Sequence, residues 1–234
     1  MQGLLYLVPN TLGNTDTTDT IPSGIKQKVN AINFFIVENL RNARRYLKNL
    51  NSSIDIDQLT FYELNEHTNQ HDIPFFLQHA RSGADTALLS EAGVPGVADP
   101  GAVVVRMAHE LGIRVVPLTG PSSILLSLMS SGLNGQSFRF LGYLPVKQPE
   151  RIKKIRNLDQ TVRRTGVTQI FIETPYRNDR MIIDLLNTCH PTTLLCIAVD
   201  ITQDSEFIHT KSVMDWKKRK PSLHKRPAIF LLGI

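Results

Sequence analysis

The sequence has few cysteines and no long apolar run, and both absences exclude classes of protein. Its two cysteines, Cys189 and Cys196, lie in apolar stretches, which favours buried free thiols over a disulfide framework or a zinc site. No apolar run approaches the roughly 18 residues that a membrane span needs. The first residues, MQGLLYLVPN, have no basic region and no cleavage site, so they predict a first strand rather than a signal peptide. We therefore expect a cytoplasmic protein with no membrane partner.

The common nucleotide-binding and hydrolase motifs are also absent. The sequence contains no G-x-G-x-x-G, no G-x-x-x-x-G-K-[ST] and no G-x-S-x-G, so the usual dinucleotide, P-loop and nucleophile-elbow interpretations lose support. His67 and His71 stand four residues apart and could flank a metal on a helix. The Asn, Thr and Gln residues around them favour a polar loop instead, so no metal is expected.

Apolar strand-like segments alternate with helical patterns through the first half of the sequence. The predicted strands are 3–8, 33–37, 59–64, 85–90 and 113–118. The predicted helices are 25–32, 38–50, 73–83 and 102–112. Alternation of this kind favours a mostly parallel sheet covered on both faces. Residues 1–118 are therefore predicted to form an N-terminal α/β domain.

The pattern changes after residue 118, where strands follow one another with fewer helices between them. The predicted strands are 138–144, 166–174, 193–202, 206–213 and 227–234, and the predicted helices are 119–132, 146–164 and 177–189. This pattern predicts a second α/β domain with a mixed sheet over residues 119–234. A hinge is expected near residues 118–121.

Positive charge is concentrated in two short segments. Residues 146–164 hold seven Lys and Arg and residues 217–226 hold six more, which is half of the 26 basic residues in the chain. Clustered basic residues attract polyanions by releasing their counterions. The alternative is a solvated helix face together with a solvated hairpin.

Three loops rich in glycine and proline, 8–14, 90–101 and 117–123, each follow an apolar strand. Ligands of open α/β sheets bind beyond the carboxyl ends of the strands, so these loops predict a ligand site. Glycine lets the backbone approach a ligand, and proline stiffens the loop. The loops carry no lysine, which favours a ligand held by backbone and apolar contacts, such as an adenosine with an amino-acid tail. An ordinary tight turn remains the alternative for each loop taken alone.

Five motifs resemble those of the class III S-adenosylmethionine-dependent methyltransferases, the tetrapyrrole methylase-like family. In chain order they are VPNTLGN (8–14), SEAGVPGVADPG (90–101), PLTGPS (117–122), FLGYLP (140–145) and ETPYR (173–177). The second and third are the most specific. Within the family, the sequence is most similar to the branch that methylates a cytidine ribose 2′-oxygen in small-subunit ribosomal RNA.

The resemblance implies two α/β domains of the tetrapyrrole methylase type, with S-adenosylmethionine bound in the cleft between them. It implies cofactor contacts, with Tyr143 as a lid, from Pro9, Leu12, Glu91, Gly93, Val94, Val97, Ala98, Ser122, Ser123, Tyr143, Glu173 and Ala228. Together with the basic segments, it implies ribosomal RNA or the small ribosomal subunit as the partner. The predicted substrate contacts are Arg41, Arg44, Lys147, Arg151, Lys154, Arg156 and Arg177. A homodimer is also expected from the resemblance.

The sequence departs from this branch mainly outside the cofactor motifs. VENLRNAR (37–44) stands where the branch has A-E-D-T-R-x-x-R, TDTTDTIP (15–22) where it has L-E-D-I-T, and VDITQ (199–203) where it has R-E-L-T-K. A ribose hydroxyl has a high pKa, which favours a nearby general base. Glu38 and Glu66 are the candidates. For Glu38 the alternative is a helix-surface ion pair with Arg41.

Three functions are compatible with these observations. The motifs and the basic segments favour an RNA 2′-O-methyltransferase. A tetrapyrrole-type small-molecule methylase would share the fold without needing the basic segments. The altered segments at 37–44 and 199–203 leave a third possibility, a protein that binds S-adenosylmethionine and RNA with weakened catalysis.

Overall fold

The computed structural model describes residues 2–13, 16–65 and 67–234. The chain divides into two compact units, one running up to Ser122 and the other from Ser123 to Ile234. The division predicted from the sequence lies a few residues earlier, between 118 and 119. Within the described residues, no helix is long and apolar enough to cross a membrane.

The first unit is built on a parallel sheet. Its strands are β1 (Leu4–Val8), β2 (Phe34–Val37), β3 (Thr60–Glu63), β4 (Thr86–Leu89) and β5 (Arg114–Pro117). They lie in the order β3-β2-β4-β1-β5, and each neighbouring pair is parallel. Every residue of β4 is buried. This burial fits the apolar run Ala87, Leu88 and Leu89 in the strand, because a central parallel strand is covered on both faces.

Helices cover both faces of this sheet. They are α1 (Thr17–Thr20), α2 (Ser23–Asn30), α3 (Leu40–Leu50), α4 (Ile73–Phe76), α5 (Gln78–Arg81) and α6 (Ala102–Glu110). One buried cluster joins α2 and α3 to the sheet, and another joins α4, α5 and α6 to its other face. The helix predicted over 73–83 is interrupted, because α4 ends at Phe76 and α5 begins at Gln78.

Helix α3 shows how the sequence fixes an element that borders the site. Its buried side chains, Ala43, Tyr46, Leu47 and Leu50, lie on one side, and its arginines lie on the other. Asn39 caps the helix by accepting a hydrogen bond from the Asn42 backbone N–H at 3.0 Å. The helix therefore begins after Glu38, which stays in the preceding loop.

The second unit has a mixed sheet. Its strands are β6 (Phe138–Tyr143), β7 (Thr168–Glu173), β8 (Leu194–Val199), β9 (Phe207–Ser212) and β10 (Ala228–Gly233). They lie in the order β6-β7-β10-β8-β9. The β6–β7 pair is parallel, and the other pairs are antiparallel. Strand β9 lies at one edge of this sheet.

The helices of the second unit are α7 (Ser123–Ser131), α8 (Gln148–Thr165), α9 (Asn178–Thr188) and α10 (Val213–Lys218). One buried cluster packs α8, α9 and α10 against one face of the sheet around the stacked rings of Phe171 and Phe230. Gly166 ends α8 in the left-handed conformation, with φ 69°. The sequence pattern missed α10, and the basic segment 217–226 begins at the end of this helix rather than in a hairpin.

Candidate functional site

The three glycine- and proline-rich loops meet at one edge of the first unit's sheet. They follow β1, β4 and β5, which are adjacent and parallel, so their carboxyl ends lie side by side. Asn10 and Gly93 join two of the loops: Asn10 N donates to Gly93 O at 2.8 Å, and Gly93 N donates to Asn10 O at 3.2 Å. The Asn10 side chain also donates to the carbonyls of Ser90 and Glu91, each at 3.0 Å. The loops after β1 and β4 are therefore locked together.

Glycine is required at two positions of this edge. Gly93 has φ +73°, and a Cβ placed there would lie 3.3 Å from the Leu12 side chain and 3.5 Å from Pro121 O. Gly120 packs so closely on Pro9 that a Cβ would lie 2.1 Å from the Pro9 Cβ. The third loop is thereby seated on the first, and the glycine-rich sequences reflect close backbone approach rather than isolated turns.

The loop after β4 is rigid, and it exposes backbone and apolar surface. The Asp99 carboxylate accepts hydrogen bonds from Gly96 N at 2.7 Å and from Gly101 N at 2.9 Å. Ala98 is held with φ 60°, and Val97 is 47% exposed. An apolar side chain and backbone polar groups on a pre-organised loop fit an adenosine with an amino-acid tail. The residues of this edge therefore fit S-adenosylmethionine.

The predicted cofactor residues fall into two groups. Those of the first unit, all on the three loops that follow β1, β4 and β5, are Pro9, Leu12, Glu91, Gly93, Val94, Val97, Ala98 and Ser122. Those of the second unit are Ser123, Tyr143, Glu173 and Ala228. Tyr143 is 61% exposed, and Ala228 lies opposite Glu173 in the sheet register. Cofactor contact by each of these residues remains a prediction.

A polar cavity of about 640 Å³ lies beside Glu91 in the first unit. Side chains from the loop after β1 and from α3 line it, among them Asn10, Asn42, Arg45, Tyr46 and Asn49. The Asn42 amide donates to Glu91 Oε2 at 2.6 Å, and the Tyr46 hydroxyl donates to Pro9 O at 2.6 Å. Burial raises the pKa of Tyr46, so its hydroxyl stays a neutral donor. The cavity has the size of a small-molecule site, but it is more polar than most such sites.

The sequence did not single out the side chains of this cavity. Tyr46 has the spacing of an ordinary core residue on α3, and Asn42 has the spacing of a surface residue. Their meeting with Asn10 and Glu91 depends on long-range packing. The only signal in the sequence was that Asn10 and Glu91 stand inside glycine-rich motifs.

Glu38 lies at the same edge and is half-buried. Its Oε1 accepts a hydrogen bond from Glu91 N at 3.3 Å. Burial raises the pKa of Glu38, this hydrogen bond opposes the rise, and the carboxylates of Asp99 and Glu91 add to it. No ion pair joins Glu38 to Arg41 in the part of the chain that the structure describes. The helix-surface ion pair is thus not formed between these two described residues, and the role of Glu38 as a general base remains a prediction.

Glu66, the second candidate base, lies outside the described residues. Arg41 and Arg44 lie on the exposed side of α3, and the Arg44 guanidinium is 5.6 Å from the centroid of the Phe61 ring. Both arginines border a shallow depression together with Glu63. Their role in binding substrate remains a prediction.

In the second unit, Arg177 is tied to a buried carboxylate. Glu173 Oε1 accepts hydrogen bonds from Arg177 Nε at 2.9 Å and from Thr174 N at 2.7 Å. The other oxygen, Oε2, is buried without a hydrogen-bond partner among the described residues. Arg177 is half-buried, so only part of its guanidinium is available for the predicted contact with substrate.

The structure corrects the prediction for Arg151 in the basic helix. Arg151 is only 5% exposed, and its guanidinium forms an ion pair with Asp184 at 2.7 Å. It also donates to the carbonyl oxygens of Val146 at 2.7 Å and Pro145 at 3.3 Å. A buried arginine whose donors are already engaged cannot serve as a surface contact for RNA, so Arg151 is a structural residue.

The other basic residues of the segment differ in their exposure. Lys147 and Arg156 are exposed, as is the neighbouring Lys153, whereas Lys154 is half-buried. Lys147 lies 4.0 Å from Glu150, a long and solvent-exposed ion pair that leaves the lysine free to exchange partners. Only some of the basic side chains of this segment are therefore accessible to a polyanion, namely those of Lys147, Lys153 and Arg156.

Comparison with known proteins finds similar sequences that share one name. No family model matches the chain. It is 30% identical over 205 residues to "Ribosomal RNA small subunit methyltransferase I" of Vibrio cholerae, covering 88% of this chain and 67% of that protein. The proteins of the same name from Buchnera aphidicola subsp. Schizaphis graminum and Escherichia coli O157:H7 are 28% and 27% identical, and the matches cover 98% and 99% of this chain and 78% of each relative.

Solved structures show the same fold. The methyltransferase CobJ has a TM-score of 0.63 at 16% identity, and the match covers 99% of this chain and 94% of that one. Uroporphyrin-III C-methyltransferase from Thermus thermophilus, solved in complex with S-adenosylhomocysteine, has a TM-score of 0.60 at 17% identity and covers 99% and 97%. At such low identity these matches establish the fold alone.

Proposed function

The chain belongs to the ribosomal RNA small subunit methyltransferase I family, and on that basis we propose that it methylates a ribose 2′-hydroxyl of small-subunit ribosomal RNA. It is a methyltransferase that uses S-adenosylmethionine. The observation that carries the proposal is the locked pair of loops at Asn10 and Gly93, which leaves a rigid backbone surface next to a polar cavity. Activity on ribosomal RNA would place the protein in the cytoplasm.

The first unit would hold and orient the cofactor. When bound, S-adenosylmethionine supplies a methyl group on a positively charged sulfur. The loop over 90–101 would contact it through backbone groups and through Val97. Because Asp99 already fixes Gly96 and Gly101, little loop entropy would be lost on binding. With the cofactor held in one position, the binding energy of the RNA can be used to align the acceptor hydroxyl for in-line methyl transfer.

The polar cavity beside Glu91 would receive the acceptor nucleoside. Asn42 and Asn49 offer amide groups that can both donate and accept hydrogen bonds, and Arg45 adds a positive charge. Asn42 also holds the Glu91 side chain in place. Amide side chains can read the edge of a base without requiring a change of protonation.

Glu38 would remove the proton from the acceptor hydroxyl. Its pKa is raised by burial, so its carboxylate is a stronger base than an ordinary glutamate. The Glu91 N–H holds the Glu38 carboxylate in one orientation, which favours proton transfer along a fixed direction. The exposed residues Lys147, Lys153 and Arg156 would contact phosphates and set the position of the RNA.

A homodimer is part of the proposal. Leu125 and Met129 stand one turn apart on α7 and are 56% and 78% exposed, which is unusual for large apolar side chains so close together. Two-fold dimers are the commonest oligomers. Light scattering should give twice the 26.3 kDa mass of the chain. The monomer mass at micromolar concentration would remove this part of the proposal.

Methyl transfer from a labelled cofactor tests the function directly. The purified protein is mixed with methyl-labelled S-adenosylmethionine and with either small-subunit ribosomal RNA or uroporphyrinogen III. We expect label in the RNA within an alkali-resistant dinucleotide, because a methylated 2′-oxygen can no longer attack the adjacent phosphate. Label in the tetrapyrrole alone would favour the small-molecule methylase. Cofactor binding without transfer to either acceptor would favour the protein with weakened catalysis.

A further inference from the structure

The edge strand of the second unit's sheet borders a groove that the proposed reaction does not use. Alternate residues of β9, namely Phe207, His209 and Lys211, lie on the same side of the strand. They face the indole of Trp216 and the segment 219–222, and the groove between them has a volume of about 460 Å³. The whole groove lies within the second unit.

Aromatic rings and a cation alternate along this groove. The Phe207 ring lies 4.6 Å from the His209 ring at an angle of 58°, and it lies 6.3 Å from the Trp216 ring. Lys211 Nζ is 4.8 Å from the centroid of the Trp216 ring, which is cation–π distance. Trp216 Nε1 donates to Leu195 O at 2.8 Å, so the indole has a fixed position. His209 is exposed.

The charge of the groove has one sign. Lys211, Arg219 and Lys220 are exposed, and no acidic side chain is among the described residues that line the groove. The nearby carboxylate of Asp215 is engaged by Lys218 Nζ at 2.8 Å and by Ser212 Oγ at 2.7 Å. Hydrogen bonds from Lys218 and Ser212 lower the pKa of Asp215, and Lys218 and Lys211 add Coulombic attraction. The cations of the groove therefore face solvent without a full counter-charge.

We propose that this groove binds a single-stranded segment of RNA away from the methyl acceptor. A base would stack on His209 and Phe207, and the adjoining phosphates would pair with Lys211, Arg219 and Lys220. Proteins that hold single strands combine stacking rings with a basic track in this way. Paired RNA fits the groove poorly because its bases are stacked on one another. The inference rests on RNA being the substrate, as proposed above, and adds a second place where RNA is held.

The chain carries an indirect reporter for this groove. Trp216 is the only tryptophan in the sequence; it is 2% exposed and packs against Phe207 and Lys211, so a base and phosphate bound by those residues should change its fluorescence. Titration with a short oligouridylate at low salt should give saturable quenching. Replacement His209→Ala should weaken the affinity by about 5- to 150-fold, the range for removing one stacked base. A duplex of the same length should quench weakly.

Charge is tested separately from stacking. The triple replacement Lys211→Ala, Arg219→Ala and Lys220→Ala should flatten the dependence of log affinity on log salt by about 2, at about 0.7 for each phosphate that is no longer neutralised. The matched control replaces three exposed arginines of the first unit, Arg81, Arg106 and Arg114, by alanine. Quenching by oligouridylate should be unchanged in that control.

The readouts separate this inference from the proposed function. If oligouridylate, followed by the anisotropy of a labelled RNA, binds His209→Ala and the triple variant as tightly as the parent chain, RNA is held elsewhere and the groove proposal is wrong. Equal quenching by inorganic phosphate would reduce the groove to an adventitious anion site and would also overturn it. If quenching and its loss in His209→Ala occur as expected while no methyl group reaches ribosomal RNA, the groove proposal stands and the proposed function fails.

Discussion

The two units prepare their candidate binding surfaces by different means. In the first unit, the surface is backbone, shaped by Gly93 and by hydrogen bonds such as those of Asp99. In the second unit, the surface consists of charged and aromatic side chains, and one helix carries both the exposed Lys153 and the buried Arg151. A loop with close backbone approach or positive φ tolerates few residue types other than glycine, so its position can be recognised from the sequence. A charge in the sequence does not say which way it faces.

The largest test of this contrast compares two basic residues of α8. Arg151→Ala should lower the free energy of unfolding by about 3–5 kcal/mol, because it leaves Asp184 buried without its partner. Lys153→Ala should change it by no more than about 0.5 kcal/mol. Urea denaturation of both variants measures the difference.

A double variant serves as the control for charge burial. Arg151→Met with Asp184→Leu removes both charges, and it should be less destabilised than Arg151→Ala alone. If Arg151→Ala unfolds at the same urea concentration as the parent chain, the guanidinium is not a structural partner of Asp184. Arg151 would then return to the set of residues open to RNA.

The second test breaks the backbone surface of the first unit. Gly93→Val places a β-branched residue at φ +73°, a conformation that costs roughly 1–2 kcal/mol for a residue with a side chain. Its Cβ would lie 3.3 Å from the tip of the Leu12 side chain and 3.5 Å from Pro121 O, so we expect relief of the strained φ to displace the backbone that pairs with Asn10. Cofactor affinity measured by calorimetry should fall by more than about a hundredfold, as small misplacements at such sites do.

Gly24→Val is the matched substitution. A Cβ at Gly24 has no atom within 4 Å, and the position has no positive φ, so cofactor affinity should be unchanged. Circular dichroism should show both variants folded. Normal affinity in folded Gly93→Val would mean that the cofactor binds away from this loop.

The third test concerns the proton. Glu38 must be a carboxylate to accept it, so methyl transfer should fall as pH falls through a pKa above the usual glutamate range. Glu38→Gln should lower the rate by about a hundredfold or more and remove this limb of the pH profile. The free energy of unfolding should depend on pH in the opposite direction to the rate of methyl transfer. A raised pKa means that the folded state loses stability as pH rises through that pKa, so the glutamine variant should be no less stable at neutral pH.

Glu110→Gln, at an exposed position on α6, is the control for loss of a carboxylate. It should keep the parent rate and the parent pH profile. An unchanged acidic limb in Glu38→Gln would exclude Glu38 as the base and leave the proton to another group.

The sequence predicted the features that local chemistry determines. The loops around Gly93 and Gly120 were recognisable because close backbone approach demands glycine. The break at Leu77 was missed, because the apolar pattern runs unbroken from α4 to α5. Helix α10 was missed because six residues give too little periodicity. The meeting of Asn42 with Glu91 could not be predicted, because it joins elements that are 49 residues apart in the chain.

The smallest expected effect belongs to the exposed charges of α8. Replacing Lys153, Lys154 and Arg156 by alanine should weaken RNA binding about tenfold and flatten the salt dependence of log affinity by about 2, at about 0.7 to 0.9 for each phosphate that is no longer neutralised. Lys154 is half-buried, so the flattening should fall short of the value for three phosphates. Cofactor affinity should stay at the parent value, because these residues lie outside the loops that fit the cofactor. The triple variant of Arg81, Arg106 and Arg114 removes the same charge from the first unit and should leave the RNA salt dependence unchanged. If both triple variants weaken RNA binding equally, net charge alone attracts the RNA and α8 presents only a solvated face.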